Sequence, residues 1–543
     1  MDQFFIKKKQ NQEEGISRMF YPNARSVRSL KHVMGTISII SENKYMPKNI
    51  YIIWWGSCGW TTALYVKKNI FPDDNITLIS SNDIWTIGVG ESTIPHVVTF
   101  LNKCGIYEDE IINRCNATIK LWIRFSEWTS QPYIHPYTHW LIRREYGWYP
   151  FSYWYNTYFR NIPFNKLDIS YFLFEKNKVM QDITGQNKIR YAYHLDAWLY
   201  GLLLKEKSEA LGVKHIEGTI SSLKVNEENI IESIDINNEI LVPDLVFDCS
   251  GFHSIGSKYL KDDEYLSYAS ELPCDAAIVG RTFHPEQDIP PYTQAIAMKY
   301  WWLWRIPLQD KYGNGYVFAK KYLTIHDAKI EFFEKTWIPP EKSRIVNFRA
   351  WRQKDAWMGN CIRIGGSYGF IEPLESTGIH IFCKQLQVFE NYFKATGLKS
   401  ETKIEFNTFC SVFLDDIKDF IVYHYYSSNR EDTNFWKSFK DLSNFSPWFQ
   451  KKMNFIDREF PGSHFDEVFS HQDTLFDMES YTWIMQWQRI MPLNLIKWEN
   501  DEIYLPQVKI DISTNLNHDK ILLNGLIQHK EYLKKTIKKK VVI

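Results

Sequence analysis

Nowhere in its 543 residues is the chain apolar for long enough to form a membrane-spanning helix. Net charge is missing too: 64 Lys and Arg balance 64 Asp and Glu. Neither the basic field of a nucleic-acid binder nor the acidic excess of a solvating protein is present. The eight cysteines (Cys58, Cys104, Cys115, Cys249, Cys274, Cys361, Cys383, Cys410) include no CxxC pair and no regular spacing. That argues against a zinc site or a disulfide framework and fits a reducing, cytoplasmic compartment. The opening "MDQFFIKKKQNQEEG" lacks the apolar core of a secretory signal, and no internal repeat is visible. What is present is the material of a globular chain. Hydrophobic residues make up 44%, and the length suffices for two or three packed regions. Residues 1–45 read as a polar, poorly ordered extension, and "MPKNIYII" from Met46 as a natural opening of the first strand.

Strand and turn signals dominate residues 49–125. "YIIWWGSCGWTTALYVKK" (51–68) reads as strand, tight turn and helix, the setting of a phosphate-cradling loop. In such a loop the first glycine makes the turn, the second admits the pyrophosphate and the third seats the helix. Gly56 and Gly59 hold the second and third places, but Trp54 holds the first. The next strand, "NITLIS" (75–80), ends in Ser80-Ser81, with Asp83 nearby, where an acid for ribose hydroxyls is expected. "IGVGESTIP" (87–95) follows, with flexible Gly88 and Gly90 around Val89, the carboxylate Glu91, then Ser92 and Thr93. Taken singly, each is matched by an ordinary turn.

Further along, "NATIKLWIRFSEW" (116–128) alternates, which puts Lys120 on one strand face with Thr118, Trp122 and Arg124. On pattern alone that face is solvated. "YHLDAWLYGLLLKEKSEALG" (193–212) reads as one helix ended by Gly212. "YWWLWRIP" (300–307) puts Trp302 and Trp304 on one face of a strand. In "GGSYGFIEPLESTGIHIF" (365–382) a helix begins near Ser376–Gly378, where Ser376 or Thr377 reads as an N-cap and free N–H groups attract anions. Helical patterns prevail from about residue 400. The tail "HKEYLKKTIKKK" (529–540) reads as a solvated basic helix.

The order and identity of these segments resemble the flavin-dependent tryptophan halogenase family. "WWGSCGW", "GVGESTIP", "NATIK", "WLWRIP" and "EPLESTGI" match its motifs in sequence, joined by "YHLDAWL", "FDCSG", "GNGYVF" and "HYYSSNREDTNFW". The resemblance covers about 46–440, and more loosely to about 492.

It implies an α/β fold: a Rossmann-like FAD-binding domain with mixed sheets (46–400), plus a mainly helical, substrate-facing region with a basic tail (401–543). It implies an FADH2-dependent halogenase in which reduced FAD, oxygen and halide yield hypohalous acid, delivered through a tunnel to a lysine and thence to an electron-rich aromatic ring, indole-like or other. By motif position the lysine is Lys120 and the ring-proton base is Glu375. FAD falls to Gly56, Ser57, Gly59, Trp60, Ser80, Gly88, Val89, Gly90, Glu91, Ser92, Thr93 and Gly365, and halide to Thr377 and Gly378. Trp302, Trp304, Ile306, Pro307 and Ser376 line the tunnel or substrate side, with His135 and Tyr137 in "YIHPYTHW" as the pair flanking the substrate ring. No metal is implied. No second dinucleotide loop is seen, so reduced flavin is expected from a separate reductase; a homodimer is one assembly allowed. In the family stretch "YTWIMQWQRIMP" (481–492), Trp487 and Arg489 stand where glycines are usual. Two other readings stay open: a flavin monooxygenase, which needs neither Lys120 nor Glu375, and a non-catalytic relative binding an aromatic ligand or partner.

Overall fold

A computed structural model describes residues 48–537 apart from 55, 82–89, 138–143, 147–148, 163, 168–177, 181–189, 262–263, 284–288, 461, 470–473, 489–500 and 523–525. The extension 1–45, Trp55, Asp83, Gly88, Val89 and Arg489 therefore lie outside the described residues. Strand β1 (Asn49–Trp54) pairs in parallel with β2 (Asn75–Ser80) on one side and with strand Leu245–Cys249 on the other. Strands Lys214–Glu217 and Cys361–Arg363 extend the sheet in parallel, and Trp357–Met358 closes it antiparallel. Ile50, Ile52 and Ile53 are all buried, as expected of a sheet covered on both faces. Helix Ser57–Tyr65 follows β1, with every residue from Gly59 to Tyr65 buried.

The alternating segment 116–128 is not one strand. It breaks at Leu121, whose N–H bonds Pro291 O at 2.9 Å. Strand β4 (Thr118–Lys120) joins a small sheet with strand Ala192–Leu195 at its centre and β3 (Glu91–Ser92) beyond. Strand β5 (Trp122–Ser126) and β6 (Tyr133–Pro136) instead form one edge of a seven-stranded sheet. Next to β5 come Tyr292–Met298, then Trp301–Pro307, the tryptophan-rich strand. The break buries both faces, so Lys120 and Trp122 are each wholly inaccessible, and the solvated face predicted for Lys120 does not exist.

The helix predicted over 193–212 also divides. Tyr193–Leu195 are strand, and the helix runs Ala197–Ala210. Asp196 sets the boundary, its carboxylate accepting from the N–H groups of Trp198 and Leu199. The tail is not a solvated helix: helix His529–Thr536 buries His529, Tyr532 and Leu533, and strand Leu526–Gln528 pairs with Lys178–Met180. Among the described residues no helix is long and apolar enough to cross a membrane.

Candidate active site

At the end of β1 the backbone of Trp54 stays in the strand, paired with Cys249. The turn is made by Gly56, at φ 83° and ψ −157°, a conformation that side chains oppose. No side chain caps the helix that starts at Ser57, so its first N–H groups lack that partner. Strands Leu245–Cys249 and Cys361–Arg363 lead into glycine turns as well. Gly365 has φ +63°, and a Cβ on Gly366 would lie 3.3 Å from Gly251 Cα. Three glycine turns thus gather beyond the carboxyl ends of parallel strands, where such sheets bind ligands. Ser80 closes β2 and is already engaged, its hydroxyl 2.8 Å from His215 Nε2. Trp60 meets the same imidazole edge-on at 5.2 Å. Gly90 has φ +88° and abuts Ile306, which places it against the tryptophan-rich strand.

Lys120 ends β4 and donates to Thr93 O at 2.9 Å. Thr93 is itself fixed, its hydroxyl donating to Tyr193 O and accepting from Tyr193 N, both at 2.9 Å. Tyr137 donates to the same Thr93 O at 3.1 Å, and its ring centroid lies 5.3 Å from Lys120 Nζ. Burial drives the Lys120 amine well below its usual range, and the charge of Glu375 opposes the shift only in part.

Behind the lysine a hydrogen-bond relay joins four motifs. Thr118 donates to Pro307 O at 2.7 Å and lies 2.9 Å from His194 Nδ1. His194 Nε2 is 2.9 Å from the Thr293 hydroxyl, itself 2.7 Å from that of Ser92. Because Thr118 spends its proton on a carbonyl, His194 must donate from Nδ1 and accept at Nε2. Burial lowers its basicity far below that of a free imidazole, and Lys120 adds to this. His194 therefore stays neutral and ties β4, through Thr293, to Ser92 of the GVGESTIP motif. The tail supplies a second imidazole: His529 Nε2 accepts from the N–H of Ile119 at 3.0 Å, with Nδ1 3.0 Å from Ile289 O. His529→Ala is expected to strand that buried N–H, lowering stability by about 1–3 kcal/mol. An unchanged denaturant midpoint would contradict this.

Glu375 is almost wholly buried. His135 Nδ1 lies 2.9 Å from its Oε2. His424 Nε2 lies 2.8 Å from Oε1 but off the line of a hydrogen bond, leaving both atoms without one among the described residues. Burial alone pushes this carboxyl up, yet the two imidazoles outweigh it and hold it at about 2. Burial lowers the basicity of His424, against the pull of Glu375. Ser376, at φ 60°, takes a left-handed conformation that costs an ordinary residue about 1–2 kcal/mol, and the helix begins at Gly378. Thr377 caps nothing with its side chain, and its buried hydroxyl has no partner among the described residues. Space beside Gly378 is open, with nothing within 4 Å of an added Cβ.

Trp302 and Trp304 stand 5.8 Å apart. Trp304 lies over Gly315, where a Cβ would come 2.0 Å from its Cζ2. The "GNGYVF" glycine is thus a seat for the indole.

A family profile described as tryptophan halogenase matches residues 49–499. The chain belongs to the tryptophan halogenase family. Tryptophan 7-halogenase RebH of Lentzea aerocolonigenes is 33% identical over 417 residues, 72% of this chain and 79% of RebH. Tryptophan 6-halogenase SttH of Streptomyces toxytricini is 29% identical over 438 residues, 73% and 82% of the two chains. Among solved structures, Xcc4156, a flavin-dependent halogenase from Xanthomonas campestris, superposes with a TM-score of 0.81 at 26% identity, covering 91% of this chain and 99% of that one. The protein is an FADH2-dependent halogenase that uses oxygen and halide.

The halogenase's glycine turns fit that cofactor. A Cβ at Gly365 would come 3.1 Å from Cys58 Sγ, so a side chain at that turn would crowd the loop. His194, His424 and His529 are not marked as chemistry by any local pattern in the halogenase's sequence. The first two sit in segments recognised only as matches; the third lies in a tail whose lysines mask it.

Proposed function

We propose that this halogenase places an electrophilic halogen on an electron-rich aromatic ring, tryptophan-like or other, with Lys120 as the delivering group and Glu375 as the base. The loop Gly56–Trp60, with Ser80, Gly90–Thr93 and Gly365, would hold FAD; Thr377 and Gly378 would hold halide. Reduced FAD, when bound, supplies hypohalous acid from oxygen and halide. The protein's task is then to aim it. Trp302, Trp304, Ile306 and Pro307 wall the passage and keep substrate from the flavin. Lys120 Nζ, oriented by Thr93 O, hydrogen-bonds the acid and gives a proton to the departing hydroxide. Its low basicity makes that proton easy to give. Glu375 takes the proton the ring loses. Residues 46–400 would thus carry cofactor and catalysis, and 401–543 face the substrate.

One observation carries the reading: a wholly buried amine, with no carboxylate in hydrogen-bonding contact among the described residues, sits within electrostatic reach of Glu375. Such a group is unfavourable unless chemistry retains it. A monooxygenase has no use for it. RebH and SttH carry tryptophan in their names, which supports an aromatic substrate. The test is a mass-spectrometric screen of aromatic compounds with FAD, bromide or chloride, and an unrelated flavin reductase with NADH. A halogenated product is expected with the reductase and none without it. Hydroxylated product in place of halogenated product would refute the reading.

A further inference from the structure

We propose that Tyr137 is a self-modification site: without an aromatic substrate, the halogenase places a halogen on the ring of Tyr137, ortho to its hydroxyl. The inference rests on the reading of Lys120 as the delivering lysine. Lys120 Nζ and the Tyr137 hydroxyl donate to one atom, Thr93 O, at 2.9 and 3.1 Å. The hydroxyl end of the phenol therefore faces the lysine, and the two ortho carbons flank that hydroxyl. The ring centroid is 5.3 Å from Nζ, so a halogen held on the ring side of Nζ would meet the ring. Phenols take electrophilic halogen ortho or para to oxygen. Here the para carbon bears the side chain, which leaves the ortho positions.

The reaction balances as hypohalous acid plus Ar–H giving Ar–X plus water. The ring supplies the electron pair of the new carbon–halogen bond as the oxygen–halogen bond breaks. The departing hydroxide takes a proton from Lys120, and the proton lost by the ring carbon returns to the site through Glu375. Halide oxidation is already the enzyme's own activity, so no further oxidant is needed. Burial keeps the phenol protonated well past its usual range. A protonated phenol reacts more slowly than an indole, so substrate outcompetes it and the adduct builds up only in idle turnover. An ortho halogen then crowds the lysine and diverts the hydroxyl from Thr93 O, so idle turnover silences the enzyme.

The experiment incubates the holoenzyme with FAD, reductase, NADH and bromide, with no aromatic substrate, and maps bromine by peptide mass spectrometry. The peptide bearing Tyr137 is expected to show the bromine isotope doublet, growing with turnover. It is expected to vanish in Lys120→Met, and in Tyr137→Phe at that residue. Three results would overturn the proposal: no bromine on Tyr137 as NADH is consumed; bromine equally on exposed tyrosines such as Tyr107 and Tyr265, the mark of free hypobromous acid; or bromine on Trp302 or Trp304 instead. The aromatic screen run on wild type and Lys120→Met reports separately on Lys120. If the variant makes no product while the wild type does, and Tyr137 carries no bromine, the self-modification alone is refuted.

Discussion

Lys120→Met is expected to make no halogenated product, while FAD binding and reductase-driven oxygen consumption continue. Methionine matches the length of the lysine but can neither hydrogen-bond hypohalous acid nor protonate the departing hydroxide. The same change is expected to stabilise the fold, because an amine buried without an ion pair is held at a cost. The sign follows from linkage. The native amine is less basic than the unfolded one. Between the two values the unfolded chain binds the extra proton, so wild-type stability rises with pH there and is lowest below the native value. Each unit of separation is worth about 1.4 kcal/mol. The variant loses that slope. Unfolding midpoints of both proteins across alkaline pH, with product assays at neutral pH, test both statements. Full halogenation by Lys120→Met would end the proposed mechanism.

Glu375→Gln is expected to slow product formation roughly 10²-fold or more, the usual effect of losing a positioned base, with flavin binding unchanged. The neutral amide cannot take the ring proton, and it removes the charge that steadies the cationic ring. A carboxyl held at about 2 is a weak base. It suffices because the halogenated ring cation is a far stronger acid. It also means that Glu375 is ionised at any working pH, so an acid-side fall in wild-type rate has another origin. The pH profile therefore separates the roles. Glu375→Gln is expected to lower kcat across the whole range without moving the limb. A limb that moves with the substitution would assign the titration to Glu375 instead.

The parallel sheet was legible because β1 and strand Leu245–Cys249 read as buried apolar runs that lead into glycine turns. Gly56 was legible because its backbone conformation admits few substitutes. The lysine was visible only by resemblance. Alternation treats 116–128 as one strand and gives Lys120 a solvated face, whereas the break at Leu121 is fixed by a hydrogen bond to Pro291, far along the chain. His135 and His424 come to Glu375 from separate elements, β6 and helix Ser400–Ser427, a convergence that local spacing does not encode.

The hydrogen bond from Ile119 to His529 spans 410 residues. On a ribosome, every strand of the parallel sheet is synthesised well before the residue that accepts from Ile119, the neighbour of Lys120. A nascent chain can thus fold its cofactor half early, yet the strand carrying Lys120 lacks its last restraint until His529 emerges. Contacts this distant form late, so on the proposed mechanism the strand that aims the oxidant is fixed only after the parallel sheet has formed.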